Sequence, residues 1–508
     1  MRVTIASRRS DLARIQAYQV GKALHSAHPQ LEIKHSFHES LGDKNQKDPL
    51  WQMPEKGVFT HDFRAGLFRG DFDLVVHSWK DLAIEDDPET EIAATLARAD
   101  ARDLLLLRED RWHQIVTTGI VSILTSSPRR AYNLDSFLRD ALPAAVRELN
   151  FLNVRGNVPT RIRKLFQADV DGLVVAKAAI DRLLEAEQAD FAITQTELRK
   201  ALSRCRWMVL PLLANPSAPA QGALAIEISR NRDDLRNLLA PINSAETFAV
   251  VASERAILAG YGGGCHQKIG VSVLRRPFGE ITFLRGLTDD GIVLDSCSLK
   301  PTSSRPEKAL KQELWPQDSS AARVFTSEGI SAEPPPDGTA LWIAKADALP
   351  ASWKLECNQI VWASGLQTWR RLAQRGVWVN GCAESLGEHE SPRIETLAGS
   401  EIKWLKLTHT EGYQGEMPIL ATYRLVPRDG VPDFKGRKHF FWKSGSSFEY
   451  ALSQNPWLKE MKHYCGPGNT QRVLQKHGIE PFVFLDHSRW LEEMSDESDR
   501  LNLKETSD

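Results

Sequence analysis

Residues 2–24, RVTIASRRSDLARIQAYQVGKAL, join a run of β-branched residues to a periodic apolar pattern. The segment 2–6 is typical of a buried strand, because valine, threonine and isoleucine fit a pleated surface. Ser10 then stands where a helix N-cap is expected. The apolar residues that follow at helical spacing are Ala13, Ala17, Val20 and Leu24. The stretch predicts a strand that runs directly into a helix.

The same pattern of strand and helix returns along the N-terminal half. Apolar runs that lead into helical patterns stand at 74–76, 120–124, 151–154 and 173–175. A further helical stretch, SAETFAVVASERAILAGY, covers 244–261. Alternating strands and helices predict an α/β fold with helices on both faces of a sheet.

The amino-acid composition and net charge indicate which classes of protein the chain can belong to. The chain has 508 residues, of which 42% are hydrophobic and 26% are charged, which is typical of a globular protein with several domains. Its net charge of -2 gives no bulk attraction to nucleic acid or to an anionic membrane. It contains no membrane-length apolar run, and the N-terminus lacks the apolar core of a signal peptide. We expect a cytoplasmic protein that binds neither nucleic acid nor a membrane.

The cysteines raise a separate question. Six are scattered without a CxxC pair, which favours a reducing compartment and argues against a disulfide or metal framework. One of them, Cys265, lies in GYGGGCHQKIG at 260–270, where glycines mark backbone that a ligand approaches closely. The neighbouring His266 and Lys268 favour the thiolate, so one interpretation is covalent attachment of a prosthetic group. A small buried hydrophobic residue is the alternative.

Basic residues follow several of the apolar runs. The carboxyl ends of strands are where open α/β sheets bind ligands, and guanidiniums pair bidentately with planar anions. Each arginine alone is better explained as a solvated surface charge. Together they predict a polycarboxylate or phosphate ligand. The residues concerned are Arg8, Arg9, Ser10, Lys80, Arg129, Arg130, Arg155 and Arg161.

Asp81 stands out as a carboxylate among these cations. An ionised carboxylate in such surroundings suits the stabilisation of a transient cation better than the donation of a proton. A structural salt bridge or a helix cap is the alternative.

Eight motifs, in order, resemble those of hydroxymethylbilane synthase, also called porphobilinogen deaminase. They are IASRRSDLARIQA, KGVFTHDF, DLVVHSWKDL, ARADARD, TSSPRR, NVRGNVPTRIRKL, QGALAIE and ERAILAGYGGGC, and the resemblance runs in order from residue 2 to about residue 300. The resemblance implies two periplasmic-binding-protein-like α/β lobes and a small α+β domain. It also implies the head-to-tail coupling of four porphobilinogen molecules to give hydroxymethylbilane.

In that family a cysteine in this context carries a dipyrromethane through a thioether, and Cys265 matches it. Asp81 would be the catalytic aspartate, with Lys80 beside it. The other residues that the resemblance places at the cofactor are Arg8, Ser10, Ser126, Arg129, Arg130, Arg155 and Gln221. Those that it places at the substrate are Arg8, Lys56, Phe59, Arg155, Arg161 and Arg182.

The C-terminal region resembles uroporphyrinogen III synthase, a family that inverts ring D of hydroxymethylbilane and closes the macrocycle. The resemblance rests on IVWASGLQTWRRLAQRGVWVNGCAESLGE, PILATYRLVP and the segment 439–481. It predicts a second site built from Ser364, Tyr423, Ser444, Ser446, Gly466 and Thr470. Ordinary turn and cap roles explain each of these residues equally well.

With both resemblances, the chain is expected to divide as follows: a first lobe over 1–85 and 200–235, a second lobe over 86–199, a cofactor-attachment domain over 240–300, a linker over 301–338, a separate α/β synthase-like region over 339–492 and a polar tail over 493–508. The expected partners are porphobilinogen and hydroxymethylbilane, and the sequence is compatible with a monomer. Two alternatives stay open: a deaminase with an inert C-terminal region, and a non-catalytic anion-binding protein.

Overall fold

The computed structural model describes residues 1–39, 61–85, 87–263, 267–318, 324–412, 415, 417–428 and 432–495. The described residues form two compact units. Unit 1 is drawn from Met1–Leu274, Thr282–Cys297 and Arg393–Ser400, and unit 2 from Arg275–Ile281, Ser298–Pro392 and Glu401–Asp508.

Strands and helices follow one another along most of the described chain. The strands are β1 Arg2–Arg8, β2 Glu32–His38, β3 Leu74–Ser78, β4 Thr90–Ala94, β5 Asp103–Arg108, β6 Ile120–Leu124, β7 Glu148–Leu152, β8 Gly172–Ala176, β9 Cys205–Leu210, β10 Leu224–Ser229, β11 Gly270–Arg276, β12 Gly279–Leu287, β13 Val293–Pro301, β14 Leu314–Trp315, β15 Phe325–Gly329, β16 Ala340–Ile343, β17 Val361–Ala363, β18 Gly381–Cys382, β19 Trp404–His409, β20 Ile419–Pro427, β21 His439–Trp442, β22 Lys462–Cys465 and β23 Phe482–Val483. The helices are α1 Asp11–Ala27, α2 His61–Arg69, α3 Trp112–Thr118, α4 Pro128–Ala141, α5 Val158–Gln167, α6 Lys177–Leu184, α7 Ala192–Leu202, α8 Asp233–Leu239, α9 Ala245–Ala259, α10 Leu366–Gln374, α11 Glu395–Ala398, α12 Gly445–Gln454, α13 Asn469–Lys476 and α14 His487–Met494.

The first lobe of unit 1 is a sheet in the order β2-β1-β3-β10-β4. Strand β1 pairs in parallel with β2 and β3, while β10 is antiparallel to β3 and β4. Helix α1 packs against β1 and β3, and its Val20 and Leu24 are fully buried in the core beside Val3 and Ile5. The strand and helix predicted from residues 2–24 are therefore confirmed, with the helix beginning one residue after Ser10.

The second lobe of unit 1 is a sheet in the order β7-β6-β8-β5-β9. Strands β7, β6 and β8 are parallel, whereas β5 is antiparallel to β8 and β9. Because β4 pairs in the first sheet and β9 in the second, the chain crosses between the lobes after residue 94 and again after residue 210. The predicted boundaries, at 85–86 and 199–200, lie nearer the start of the chain.

The expected cofactor-attachment domain contains α9 and a sheet in the order β11-β12-β13. Helix α9 is N-capped by Ser244, whose side chain accepts a hydrogen bond from the Thr247 amide.

Unit 2 contains a larger sheet, β15-β20-β19-β16-β17-β18, and a smaller one, β14-β21-β22-β23. Strands β20, β19, β16, β17 and β18 are parallel, and β15 is antiparallel to β20. The stretch predicted as a linker, 301–338, supplies β14 and β15 to these sheets. The aromatic residues Trp315 and Phe325 are packed with the core of the smaller sheet, which explains why these short segments are ordered despite their proline and serine content.

A search of the described residues for a helix long and apolar enough to cross a bilayer finds none.

Candidate active site

The first cluster of predicted residues forms where β1 and β3 end side by side. The two strands are parallel neighbours, so their carboxyl ends meet at one edge of the sheet. A small open pocket of about 80 Å³ lies there, and its lining includes Arg8, Ser10, His77 and Asp81. The structure thus brings together residues that follow two separate apolar runs of the sequence.

Lys80 and Asp81 occupy a short 3-10 turn, Trp79–Asp81, directly after β3. The Lys80 ammonium donates a hydrogen bond to Gln221 Oε1 at 3.1 Å. Burial lowers the pKa of Lys80 to about 8; the field of Asp81 opposes this shift and that of Arg130 adds to it. Lys80 of the first lobe therefore lies within electrostatic range of an arginine of the second lobe.

Asp103, the first residue of β5, organises the arginines of the second lobe. Its carboxylate accepts hydrogen bonds from Arg129 Nη2 at 2.9 Å and from Arg130 Nη2 at 2.7 Å. Asn215 Nδ2 and Gln221 Nε2 each donate to it at 2.8 Å. Burial opposes ionisation, but the two guanidiniums outweigh it and hold the pKa of Asp103 well below its usual range.

The sequence analysis named Arg129, Arg130 and Gln221 but missed Asp103. The signal was present, because an acidic residue directly before the apolar run LLLL will be buried with the strand and must then find a partner. The structure shows both arginines buried and paired with this carboxylate. In addition, Arg130 Nε is buried without a hydrogen-bond partner among the described residues.

A third strand end contributes Arg155 and Arg161. Gly156, with a φ of +109°, turns the chain after β7, and Asn157 then caps α5 by accepting a hydrogen bond from the Thr160 amide at 3.0 Å. Arg161 Nε donates to the Gly156 carbonyl at 2.8 Å.

The pKa of Arg161 is shifted by the groups that surround it. Burial lowers it most, the fields of Arg130 and Arg155 act in the same direction and the field of Asp81 opposes them, with a resulting pKa of about 10. Asp81 on the first lobe and three arginines on the second therefore share one electrostatic neighbourhood.

The glycine run after α9 lies near the Asp81 turn. Gly263 has a φ of +62°, and a Cβ added to it would meet Ile84 Cδ1 at 3.0 Å. Arg255 of α9 also donates to the Leu82 carbonyl at 3.3 Å. The described backbone at 263 is thus close to the segment that follows Asp81.

Other predicted residues have different surroundings or cannot be placed. Arg182 is buried, its Nη2 donates to the Gly222 carbonyl at 2.8 Å, and burial lowers its pKa to about 10. Ser126 is half-buried in the turn before the N-cap of α4. Cys265, Lys56 and Phe59 lie outside the described residues. A search of the described part of the chain for acidic, histidine and cysteine groups that could hold a metal ion finds none.

In unit 2, four of the six predicted residues lie at β17, β20 and α12. Ser364 follows β17 and donates to the Ala344 carbonyl at 2.7 Å. Tyr423 is buried in β20, and burial raises its pKa to about 12. Ser444 caps α12 by accepting from the Ser447 amide at 3.2 Å, and Ser446 lies in the first turn of that helix.

Two further residues of this predicted set lie beyond β22. Gly466 directly follows the strand, and a Cβ added to it would meet open space. Thr470 is half-buried in the first turn of α13.

A cleft that gathers guanidiniums, an ammonium and an exposed carboxylate from two α/β lobes defines a class of proteins that bind a polyanion and can stabilise a cation beside it. Comparison with known proteins identifies the family. Residues 3–237 match the family model described as "Porphobilinogen deaminase, dipyromethane cofactor binding domain". Curated relatives named porphobilinogen deaminase include those of Clostridium novyi, 32% identical over 296 residues that cover 58% of this chain and 91% of the relative, and of Acidothermus cellulolyticus, 35% identical over 301 residues that cover 56% and 82%. That of Sorangium cellulosum is 32% identical over 315 residues, which cover 62% of this chain and 92% of the relative.

The chain belongs to the porphobilinogen deaminase family. The predicted resemblance of its N-terminal part, the multidomain α/β fold and the dipyrromethane cofactor are confirmed. The family-model match ends at residue 237, and the relatives described above cover at most 62% of the chain.

Solved structures are matched only weakly. A putative periplasmic sulfonate-binding protein from Methylobacillus flagellatus aligns with a TM-score of 0.27 and 10% identity, covering 51% of this chain and 69% of that one. At such values no argument rests on the match.

Proposed function

We propose that the chain couples four porphobilinogen molecules head to tail on a dipyrromethane attached through Cys265, and that its C-terminal region inverts ring D of the released hydroxymethylbilane and closes it to uroporphyrinogen III. The observation that carries the first half is the hydrogen-bonded chain that joins Lys80, next to Asp81, through Gln221 to Asp103 and so to the two arginines that Asp103 binds. Each pyrrole of the growing chain bears two carboxylates, so a cleft of this charge suits it.

The residues present fit a dipyrromethane. Arg130 Nε, buried and without a partner in the described part of the chain, is a donor available to a carboxylate, and the backbone at Gly263 comes close to Ile84, in the segment that follows Asp81. We propose that Arg8, Ser10, Lys80, Ser126, Arg129, Arg130, Arg155 and Gln221 hold this group. When bound, it supplies the pyrrole carbon on which the first substrate is added.

The mechanism assigns distinct tasks to the chain's own residues. Asp81 is exposed beside the open pocket, where its carboxylate can stabilise the positive charge that develops as ammonia leaves porphobilinogen. Lys80 and the arginines neutralise the carboxylates of the acidic rings. The network around Asp103 holds two of these guanidiniums in place before any ring arrives.

We further propose that Arg8, Lys56, Phe59, Arg155, Arg161 and Arg182 contact the substrate. Arg155 and Arg161 are supported by their position in the cleft next to Asp81. Arg182 has the weakest support, because its guanidinium is buried and bonded to a backbone carbonyl.

The proposed synthase activity rests on the parallel sheet of unit 2. In such sheets ligands bind at the carboxyl ends of the strands, and Ser364 stands at that end of β17. Ser444 and Ser446 lie at the N-terminus of α12, where backbone amides favour an anion. Coupling of the two activities makes chemical sense, because free hydroxymethylbilane cyclises spontaneously to the wrong isomer.

The isomer of the product tests the bifunctional proposal. The purified full chain is supplied with porphobilinogen, and the macrocycle is oxidised and separated by chromatography. We expect mainly the type III isomer. Type I alone would leave a deaminase with an inert C-terminal region, and no consumption of porphobilinogen would favour a non-catalytic anion-binding protein.

We also propose a cytoplasmic location. The six cysteines are scattered along the sequence without a CxxC pair, as expected in a reducing compartment.

A further inference from the structure

Three strand ends in unit 2 bring a second set of polar groups together. Strand β16 pairs in parallel with both β17 and β19, so their carboxyl ends lie at the same edge of the larger sheet. Lys345 follows β16, Ser364 follows β17, and His409 ends β19. Neither Lys345 nor His409 was singled out by the sequence.

The Lys345 ammonium is half-buried without a carboxylate partner. It donates to Ser327 Oγ at 2.5 Å and lies 3.8 Å from the centre of the Tyr423 ring. Within the described residues Lys345 makes no ion pair, and the nearby Asp347 is engaged by Arg371 at 3.0 Å. Burial lowers the pKa of Lys345, and the field of Asp347 opposes this shift. A half-buried ammonium whose direct contacts are a hydroxyl and an aromatic ring retains the capacity to bind an anion.

His409 adds an unused nitrogen to this cluster. Its Nε2 lies 3.4 Å from Ser446 Oγ, whereas its Nδ1 is buried without a hydrogen-bond partner among the described residues. Its ring centre lies 5.8 Å from that of Tyr423. Burial lowers the pKa of His409; the ammoniums of Lys345 and Lys406 add to this shift, and the carboxylate of Glu411 opposes it. The imidazole is therefore neutral at pH 7 and can donate one hydrogen bond.

We propose that Lys345 and His409 bind a carboxylate group of a polycarboxylated tetrapyrrole. The Ser446 hydroxyl donates to His409 Nε2, which leaves the imidazole proton on Nδ1 for the ligand. One ammonium with one neutral donor matches the single charge of a carboxylate, and the neighbouring Tyr423 and His409 rings offer flat surfaces to a pyrrole. The identity of the ligand rests on the proposed synthase function. The anion-binding role of the cluster rests on its own geometry.

The first test is a chemical footprint on the full chain. Lysines are acetylated with and without uroporphyrin I, a stable cyclic octacarboxylate, and each site is quantified by mass spectrometry. We expect uroporphyrin to protect Lys345 and to leave Lys354, an exposed lysine of the same unit, unchanged. Equal acetylation of Lys345 with and without uroporphyrin would overturn the proposal. Protection by inorganic phosphate as strong as by uroporphyrin would overturn the carboxylate specificity.

The second test compares Lys345→Met with Lys354→Met in a uroporphyrin titration by calorimetry. Loss of one charge-assisted contact should weaken the affinity of one class of sites about tenfold in Lys345→Met. Lys354→Met should match the unaltered chain, and equal affinities in all three proteins would contradict the proposal. Protection and weakened binding together with type I product alone would retain the anion site and refute the synthase function.

Discussion

Asp103 lies at the centre of a buried network that joins two arginines, an asparagine and a glutamine. The sequence could predict that guanidiniums gather at strand ends, because each follows an apolar run. It could not predict which of them would be neutralised within the protein, because Asp103 and Arg129 meet only through the pairing of β5, β8 and β6. Arg129 and Arg130, which were predicted for an anion site, therefore have an internal counter-charge that was not predicted.

Replacement of Asp103 by asparagine should destabilise the protein. The change leaves two buried guanidiniums without an anion, so we expect the free energy of unfolding to fall by about 3–5 kcal/mol. Urea denaturation of the two proteins gives this difference. Asp135→Asn is the matched control, because its carboxylate pairs with Arg139 on an exposed helix surface and should contribute less than about 1 kcal/mol. Equal losses in the two variants would contradict a special role for Asp103.

Asp81→Asn should retain the fold and lose most of the turnover. The substitution removes the charge of the side chain and keeps its shape. The variant therefore cannot stabilise the cation that develops during the reaction, and we expect kcat to drop by about 10²-fold or more. Steady-state kinetics with porphobilinogen, together with a thermal melt, measures both properties. Asp71→Asn, an exposed carboxylate of the same lobe, serves as the control. Unchanged kinetics in Asp81→Asn would refute the assigned role.

Burial lowers the pKa of Lys80 to about 8, so we expect the activity to decrease on the basic side of its pH profile. Below that pH the ammonium is charged and can hold a substrate or cofactor carboxylate; as the pH rises through about 8 it is deprotonated and this contact is lost. We expect kcat/KM to fall with a midpoint near pH 8. The Lys80→Met variant should be weaker throughout and lack that decrease. If kcat/KM of the variant also decreased near pH 8, the decrease would belong to another titrating group.

At the scale of elements, the interior strands β3, β6 and β8 were predicted from their apolar residues, whereas the interior strands β5 and β10 were not. Strand β5 begins and ends with charged residues, Asp103 and Arg108, and β10 contains the buried Glu227. Strand β7 lies at a sheet edge and begins at Glu148, so the apolar pattern that predicted 151–154 captured only its end. Strand β2 is also an edge strand of mixed polarity, and it was not predicted.

The sequence pattern did not predict which strands pair in parallel and which pair antiparallel. The antiparallel strands β4, β5, β9 and β10 carry the chain back and forth between the lobes, which is why the predicted lobe boundaries differ from the observed crossings. Apolar periodicity reports burial and gives no information about which distant strand lies alongside.

Asn157 caps helix α5, whose first turn carries Arg161 of the cleft. Asn157→Ala removes the hydrogen bond to the Thr160 amide, and we expect a loss of about 1 kcal/mol in stability. Because the first turn of this helix carries Arg161, the KM for porphobilinogen should rise more than kcat falls. Asn157→Asp keeps an acceptor and should restore both values. Failure of that rescue would show that the cap is not the cause.

At the scale of the whole molecule, a near-neutral chain contains a locally cationic cleft. The net charge of -2 excluded a bulk attraction to polyanions, and only the strand-end positions revealed the local excess of arginines. The sequence also predicted a second α/β part over 339–492, whereas the second unit already takes in the chain from Ser298. The strands contributed by 301–338 were not predicted, because proline-rich segments are typical of linkers and only tertiary packing orders them in this chain.

Intact mass of the whole chain checks the covalent part of the proposal. We expect the purified protein to exceed its sequence mass by one dipyrromethane, and Cys265→Ala to show the bare mass while remaining folded. Cys297→Ala, a buried thiol elsewhere, should keep the added mass. An active protein with an unmodified Cys265 would contradict the assignment.

The pairing of Arg129 and Arg130 with a buried carboxylate has a consequence for repeated turnover. Side chains anchored in this way do not have to be re-ordered when the cleft empties or fills, so little conformational entropy is lost at each successive addition. The entropy cost of ordering these two side chains is therefore the same when the fourth monomer binds as when the first one binds. Whatever adjusts to the lengthening product must then be the product itself or the parts of the cleft that Asp103 does not hold.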